Sequence, residues 1–530
     1  MIYVIGSGPA GMSCAVALLN QGLRVTMLDA GLLLEPERRE IVRKLAQSSP
    51  DNWDPELVEK IKGNINVNEK GVPIKLLFGS DFSYRHVDQL IPTVQRGVKL
   101  VGSLAQGGFS TVWGSAVLPY VGDDIRNWPL STDDLAPHYQ TVLSWMDLSA
   151  TADDLAETFP LYSDCYHPLT LSKQAAELLA DLERYKTGLN SDGISFGKSR
   201  LAVRANTKNG KCGCVYCGMC LYGCPYELIY SSTGTLAVLQ DNPRFKYVPN
   251  VLVKRLSERG DKVEIHTHAV CSSKPSVLKG TRVYVACGIL PTTKLILESL
   301  GAFDQPVTIL ESQYFLLPWL RYSGTRGVSD EKLHTLAQLF LEIEDPKMSS
   351  HRVHLQIYTY NDMMNAAVRR RLGWLSRVLQ IPINALLKRL LLIQGYLHSH
   401  NSPRIRAVLQ RSQRSNANLL TLETEPGDMA TQVVIRAILR KLRKHRFRFK
   451  AEPLSPLMDI TEPGRSTHSA GSLPMKDNPG DLQTDVLGRP TGFRRIHVVD
   501  SSIFPEIPAS TITLSVMANA HRIGSAFHET

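Results

Sequence analysis

Met1-Ile-Tyr-Val-Ile-Gly-Ser-Gly-Pro-Ala-Gly11 decides the fold. It reads as a buried strand running straight into a turn with glycines at 6, 8 and 11, the G-x-G-x-x-G spacing. Gly6 permits the tight turn, Gly8 lets backbone approach a pyrophosphate, and Gly11 lets the next helix pack on the strand. That helix is expected from about Pro9 to Gln21, with proline in its tolerated first turn and Gly22 closing it. Leu23-Arg-Val-Thr-Met-Leu-Asp29 is then a second strand, and its terminal acid stands where a carboxylate takes the ribose hydroxyls of a dinucleotide. The glycine spacing alone also suits a strand–turn–helix with no ligand. The strand before it, the helix after it and the acid beyond favour a nucleotide.

Working outward, 530 residues exceed what one core supports, so two domains or one elaborated domain are expected. The 43% hydrophobic and 21% charged residues are those of a globular protein. The net charge of +10 suggests anionic partners without identifying them. No basic and then apolar leader stands ahead of Ile2, so no secretory signal is expected. No apolar run approaches the roughly 18 residues of a membrane span. Five of the nine cysteines crowd into Cys212–Cys224, which is unlike a secreted disulfide framework. The expectation is a cytoplasmic protein, with peripheral attachment to the inner membrane face as an open addition.

Residues 32–98 read as polar and helix-rich with no chemical signature. Gly102-Ser-Leu-Ala-Gln-Gly-Gly-Phe-Ser-Thr-Val-Trp-Gly114 follows. The paired Gly107 and Gly108 mark backbone that comes close to something flat or phosphorylated, and Ser110 with nearby amides suits the middle of a cofactor. A glycine-rich surface loop is the plainer alternative. In Trp128-Pro-Leu-Ser-Thr-Asp-Asp-Leu, Ser131 is a helix N-cap with acids in the first turn, a structural role.

From Cys214 to Pro225 the spacing is C-x2-C-x2-C-x3-C-P, the run that ligates iron–sulfur clusters in bacterial ferredoxins. Cys214, Cys217, Cys220 and Cys224 are therefore candidate ligands of a 3Fe-4S or 4Fe-4S cluster, with Cys212 as an alternative. A loop with free thiols, or zinc, fits the same residues; zinc pairs are normally set further apart.

Beyond it, Phe245 to Ser257 and Val263-Glu-Ile-His-Thr-His268 alternate as strands. Thr281-Arg-Val-Tyr-Val-Ala-Cys-Gly288 is a continuous apolar strand ending in a small-residue turn, and a helix follows from Thr292. This second strand–glycine–helix unit is expected in the same parallel sheet as the first, making the nucleotide domain discontinuous.

From 301 to 455 the texture changes. His351-Arg-Val-His-Leu-Gln-Ile-Tyr-Thr-Tyr360 alternates like a strand with one solvated or ligand-facing side. Trp374 to Leu397 is apolar but broken by Arg377, Pro382, Lys388 and Arg389. It reads either as an amphipathic helical pair over the sheet or as a patch lying on an anionic membrane. The basic run Arg436–Lys450 reads as a solvated face. No nucleic-acid recognition module accompanies it, so no nucleic-acid partner is expected. Near the end, Thr467-His-Ser-Ala-Gly-Ser-Leu-Pro-Met475 places a histidine before a small-residue turn. Ile496-His-Val-Val-Asp-Ser-Ser-Ile-Phe-Pro505 is a strand ending in an acid and serines, and a helix follows Pro508. The free amides at its N-terminus suit the electron-rich edge of a reduced flavin. On pattern alone His468 reads as structural, and the mid-helix His521 more so.

These segments together resemble the glucose–methanol–choline (GMC) flavoprotein oxidoreductases from end to end. Val4-Ile-Gly-Ser-Gly-Pro-Ala-Gly11 resembles the FAD-binding start, and Gly107-Gly-Phe-Ser-Thr-Val-Trp-Gly114 the second flavin motif in the form of pyranose-oxidising members. Trp128-Pro-Leu-Ser and Leu135-Ala-Pro-His-Tyr139 resemble the segment after it, and Val285-Ala-Cys-Gly288 an A-x-G turn. His468 to Met475 and Val499-Asp-Ser-Ser-Ile-Phe-Pro505 resemble the C-terminal signature. The resemblance implies an α/β protein: a discontinuous Rossmann-like FAD domain (1–300 with 456–530) and a substrate domain of antiparallel sheet and helices (301–455). It implies cofactor contacts from Gly6, Gly8, Gly11, Asp29, Gly107, Gly108, Ser110, Ala286, Gly288, Asp500 and Ser501. The activity implied is oxidation of a CH–OH group of a sugar, polyol or glycoconjugate, with His468 as base.

Three departures stand out. The second catalytic residue of the family, His or Asn, aligns on Thr511, whose hydroxyl is its only means of holding a substrate oxygen. Val112 stands where members with tethered FAD carry histidine, so non-covalent FAD is expected. Asp29 replaces a common Glu. Some GMC-type sugar dehydrogenases resemble the cysteine run and hold a 3Fe-4S cluster on ligands similar to Cys214, Cys220 and Cys224; other members have such a loop without one. A cluster favours a dehydrogenase passing electrons to a carrier protein. An oxygen-using oxidase and a catalytically weak flavin-binding protein are the alternatives.

Overall fold

The protein is described here from a computed structural model, which covers residues 1–530 except 64–74, 209, 211, 273, 412–417, 426–428 and 530. Ile2–Ile5 is the middle strand of a five-stranded parallel sheet in the order Ile496–Val498, Arg282–Val285, Ile2–Ile5, Val25–Leu28, Phe245–Val248. Ile2 lies opposite both Val25 and Arg282, so strands from the two ends of the chain meet in one sheet. Every residue of Ile2–Ile5 and Val25–Leu28 is buried. Such continuous apolar runs are what a parallel sheet covered on both faces requires.

The opening helix runs Pro9–Asn20, with Gly22 beyond it at φ 77°. The closing helix, Thr513–Ser525, lies against it. A Cβ on Gly524 would stand 2.9 Å from both the Cys14 carbonyl oxygen and Ala17 Cβ, so small residues set how closely the two helices approach. Ser131 caps helix Thr132–Trp145 in a reciprocal capping box with Asp134. Helices Pro36–Ala46 and Pro55–Lys62 meet the helix-rich expectation for 32–98, whose 64–74 part lies outside the described residues.

The substrate-side layer is antiparallel. Its strands run Ala451–Pro453, Tyr314–Arg321, Leu390–Tyr396, Val353–Tyr358, Leu339–Ile343, Ile194–Lys198, with Asp459–Ile460 also on Tyr314–Arg321. Helices Lys173–Arg184 and Met429–Lys444 cover one face, burying Leu178, Leu182, Ile438 and Leu442 against Leu317, Leu355 and Leu391. Three segments cross the partition read from the sequence. Ile194–Lys198 and helix Lys173–Arg184, inside 1–300, belong to this sheet and its core; Asp459–Ile460, inside 456–530, pairs with Phe315 and Leu316. A further sheet, Ser469–Ala470, Pro306–Glu311, Ile405–Gln410, Leu419–Thr424 and Thr93–Arg96, joins the layers.

The stretch Trp374–Leu397 is only half helical. Helices Leu375–Val378 and Gln380–Leu387 follow Asp362–Leu372, and Leu390–Tyr396 is a full strand of the antiparallel sheet. Its β-period burial overrides the helical reading. The basic run from Arg436 lies largely on the outer side of helix Met429–Lys444, whose Val434, Ile435 and Ile438 face the core. Among the described residues no helix is long and apolar enough to cross a membrane.

Candidate active site

The opening turn, the 102–109 loop, the Ala286–Gly288 turn and the Asp500–Ser501 turn converge on one cavity of about 740 Å³. That is the size of a cofactor site. Gly6, Gly8, Asp29 and Gly108 line it, as do Ala286, Gly288, Asp500 and Ser501. Gly11, Gly107 and Ser110 lie behind that lining, where their tasks are internal. The Ser110 hydroxyl donates to the Gly107 carbonyl at 2.6 Å and accepts the Ser232 N–H at 2.9 Å, which shapes the turn rather than reaching into the cavity.

The glycines divide in the same way. Gly6 has φ +101° and a Cβ there would lie 2.4 Å from the Ala286 carbonyl oxygen; at Gly11 it would lie 2.0 Å from the Gly6 oxygen. Both are demanded by the protein's own packing. Gly8 has ordinary extended backbone, φ −68° and ψ 179°, and a Cβ there meets nothing within 4 Å. No protein atom requires glycine at 8, and its open side lies in the cavity wall. This is the cradle of a group that approaches the backbone closely, as a pyrophosphate does at a helix N-terminus.

Asp29 Oδ2 accepts hydrogen bonds from the Ser7 hydroxyl and, at 2.9 Å, from the Tyr247 hydroxyl. Burial pushes its carboxyl up to about 6 despite these donors. Ser7 Oγ also accepts the Gly107 N–H at 2.9 Å, pinning the second glycine loop to the first. Ser7 and Tyr247 were not legible as site residues: one is a small hydroxyl between glycines, the other a strand aromatic. Asp500 Oδ2 accepts from the Gly288 N–H at 2.8 Å and the Thr292 hydroxyl at 2.5 Å, tying the A-x-G turn to the C-terminal segment. Ile512 and Thr513, at the N-terminus of the closing helix, also line the cavity. An acid for ribose, a bare glycine for pyrophosphate and a helix N-terminus for an anionic ring together fit FAD. Val112 is buried and offers no nucleophile for a covalent tether.

Thr467 and Ser469 line the cavity on either side of His468. The His468 ring stacks on Tyr396, centroids 4.9 Å apart and 17° from parallel. Its Nδ1 is buried without a hydrogen-bond partner among the described residues. Burial first, and then the nearby His354, hold the imidazole down to about 4, so it is neutral at ordinary pH. His354 is committed elsewhere: Nδ1 pairs with Glu342 Oε1 at 2.6 Å and Nε2 with the Gln356 amide at 3.2 Å. The alternation expected over 351–360 is present, but the polar side is not solvated: His354 and Gln356 are as buried as the apolar side. Val353, Leu355 and Ile357 face the core, and His354, Gln356 and Tyr358 take the other side.

Glu311 was missed. Its residue pairs with Ser469 across the strands, its Oε2 accepts the Gly464 N–H, and burial pushes its carboxyl up to about 8. It braces the turn that carries His468. Thr511 is buried and its Oγ1 accepts the Leu118 N–H at 2.9 Å, leaving its hydroxyl hydrogen to donate.

The four cysteines of the C-x2-C-x2-C-x3-C run are free thiols, with Cys214, Cys217 and Cys224 held protonated by burial. Each of Cys214, Cys217 and Cys224 lies close enough to Cys220 to feel its charge. Among the described residues the one set of three ligand-type side chains with donor atoms within 4.8 Å of each other is His351, His398 and His400. The arrangement gives the iron–sulfur expectation no support. The histidines are knit by hydrogen bonds: His351 Nε2 to His400 Nδ1 at 3.0 Å, His400 Nε2 to Glu506 Oε1 at 3.1 Å, and the His400 N–H to His398 Nδ1 at 3.1 Å.

No protein-family model matches the sequence, and no curated protein matches it either. Solved structures do match the fold over the whole chain. Pyridoxine 4-oxidase from Mesorbium loti is 13% identical with a TM-score of 0.60, covering 100% of this chain and 99% of its own. A formate oxidase of Aspergillus oryzae RIB40, from work on FAD modification, is 13% identical with a TM-score of 0.63, covering 100% and 98%. An FAD-dependent oxidoreductase from Chaetomium thermophilum is 14% identical with a TM-score of 0.57, covering 100% and 99%. The fold is thus one that FAD-dependent oxidoreductases use.

Proposed function

We propose that this chain is a GMC-type, FAD-dependent oxidoreductase that oxidises a CH–OH carbon of a sugar, polyol or glycoconjugate. The observation that carries the reading is the neutral His468 imidazole, its Nδ1 without a partner among the described residues, carried between Thr467 and Ser469, which both line a cavity of dinucleotide size. Gly8, Asp29, Gly288 and the N-terminus of the closing helix would hold non-covalent FAD. Bound there, FAD supplies the acceptor for the hydride that leaves the carbinol carbon. His468 takes the hydroxyl proton on a ring nitrogen, so the CH–OH group loses one hydride from carbon and one proton from oxygen and becomes a carbonyl. Tyr396 holds the ring plane, and the polar face of Gln356 and Tyr358 meets the substrate's other hydroxyls. Thr511 donates its hydroxyl hydrogen to the reacting oxygen.

A second reading is a flavoprotein that binds but turns over weakly, favoured by Thr511 where a second imidazole or amide would stand. Anaerobic addition of a sugar and polyol panel to the FAD-loaded protein separates them. Bleaching of the flavin band by at least one member is expected. Binding without bleaching by any alcohol would leave the second reading standing. Re-oxidation of the bleached protein by air, or only by an added one-electron carrier, then distinguishes oxidase from dehydrogenase.

The acidity of His468 sets the pH profile. A base works in its unprotonated form, and that form dominates above a pKa of about 4. The rate of flavin reduction is therefore expected to be flat from neutrality down to about pH 5 and then to fall about tenfold per unit below pH 4. Stopped-flow reduction across that range checks it; an acid limb near pH 6.5, the ordinary histidine value, would contradict the buried setting.

A further inference from the structure

The two basic stretches that the reaction does not use meet at one end of the antiparallel sheet. Backbone hydrogen bonds tie each of them to residues 321–325: Arg321 N to Arg389 O at 2.9 Å, Thr325 N to Lys388 O at 3.0 Å, and Tyr322 N to Lys450 O at 2.9 Å. Helices Leu375–Val378 and Gln380–Leu387 project there, anchored by Ile383 and Leu387 in a small core with Met364 and Leu372.

Their outer side is bare and apolar. Trp374 is 74% exposed, Val378 72% and Ile381 84%, with Leu375 and Leu379 also exposed. Phe447, 67% exposed, and Tyr322 extend this surface along the same end of the sheet. Large side chains scattered singly on a surface are ordinary; five within eight residues are not. The rim is cationic. Arg371, Arg377 and Lys388 are exposed around the helices, and Arg446 lies over the Phe447 ring while it and Arg443 share one acid, Glu452. From Met363 to Leu422 the sequence contains no Asp or Glu.

We infer that this end of the substrate layer is a docking face for an anionic lipid bilayer, with Trp374, Val378 and Ile381 entering the headgroup region and the arginines seated on lipid phosphates. The chemistry is complementary on both counts. A bilayer's interface takes tryptophan and aliphatic side chains, and its negative surface attracts the rim. A folded protein partner would need apolar and acidic patches matched to this outline, whereas a bilayer needs no outline. The face also sets a distance. Strand Leu390–Tyr396 leads from it to the tyrosine stacked on His468, about 20 Å at 3.3 Å per residue.

The purified full chain tests this by co-sedimentation with phosphatidylglycerol-rich and with phosphatidylcholine vesicles. Binding to the first, weakening as salt rises and the rim is screened, is expected. Trp374→Ser/Val378→Ser/Ile381→Ser is expected to lower binding by roughly tenfold or more, and Arg371→Gln/Arg377→Gln by about fivefold per charge. All these side chains are exposed, so flavin content and thermal midpoint are expected to match wild type. Wild type remaining in the supernatant with both lipids overturns the proposal, as does a triple serine variant that binds undiminished. A wild-type dimer in light scattering that the triple variant dissolves, with no vesicle binding, assigns the face to a second copy of the chain instead.

Discussion

His468→Ala is expected to slow reduction of bound FAD by about 10²-fold or more at saturating substrate, the ordinary contribution of a positioned general base. The side chain can be removed without unmaking the turn. The His468 carbonyl accepts the Ser312 N–H at 3.0 Å and its own N–H goes to Ser466 Oγ at 3.2 Å, both through backbone. Flavin content and visible spectrum should therefore survive, and the loss should fall on the reductive step rather than on substrate binding. His354 is the nearest rival, and it is poorly placed to substitute. Both its ring nitrogens are engaged, one by a buried carboxylate at 2.6 Å, so freeing a lone pair would strand Glu342 in the interior. His354→Ala is accordingly expected to cost stability more than rate. Full-rate reduction by the His468 variant would remove that imidazole from the reaction and hand the proton to another group.

The nucleotide half of the molecule was legible because its constraints are local. A strand buried on both faces must be continuously apolar, and a turn at φ +101° must be glycine, so both leave marks in a few consecutive residues. The substrate half was less legible. Leu390–Tyr396 is a strand because two other segments supply its neighbours, while its own composition suits a helix equally well. Ile194–Lys198 joins that sheet from far upstream through a pairing that no spacing announces. The site shows the same contrast. His468, Asp29 and Asp500 stand at strand ends and turns, where a polar residue is conspicuous. Glu311 ends a strand that reads as an ordinary amphipathic one, and only the burial of its partner strand makes it unusual. The cysteine spacing was a strong local signal of a different kind. The turns through Gly218 and Gly223, both at positive φ, give the loop its wrap, and a wrapped cysteine loop forms with or without a cluster.

Gly8→Val is expected to yield a folded protein that has lost its coenzyme, and Gly11→Val a protein that folds poorly. The two positions share one motif but answer to different neighbours. At Gly11 a Cβ would lie 2.0 Å from the Gly6 carbonyl oxygen, a backbone atom that cannot step aside without moving the first strand. Overpacking of that kind costs about 3 kcal/mol or more, a large part of a domain's whole stability. At Gly8 the backbone is already in a conformation valine prefers, and the added carbons enter open space on the cavity side. Folding should hardly notice. The same carbons occupy the place where backbone and pyrophosphate must touch. If displacing the ligand there costs a similar ~3 kcal/mol, affinity for FAD falls about a hundredfold. Flavin retained after gel filtration, measured beside the thermal midpoint of the apo protein, separates the two effects. A Gly8→Val protein that stays yellow with wild-type affinity would mean the coenzyme does not cross the opening turn, and the assignment of Asp29, Gly288 and His468 to one flavin site would lose its footing.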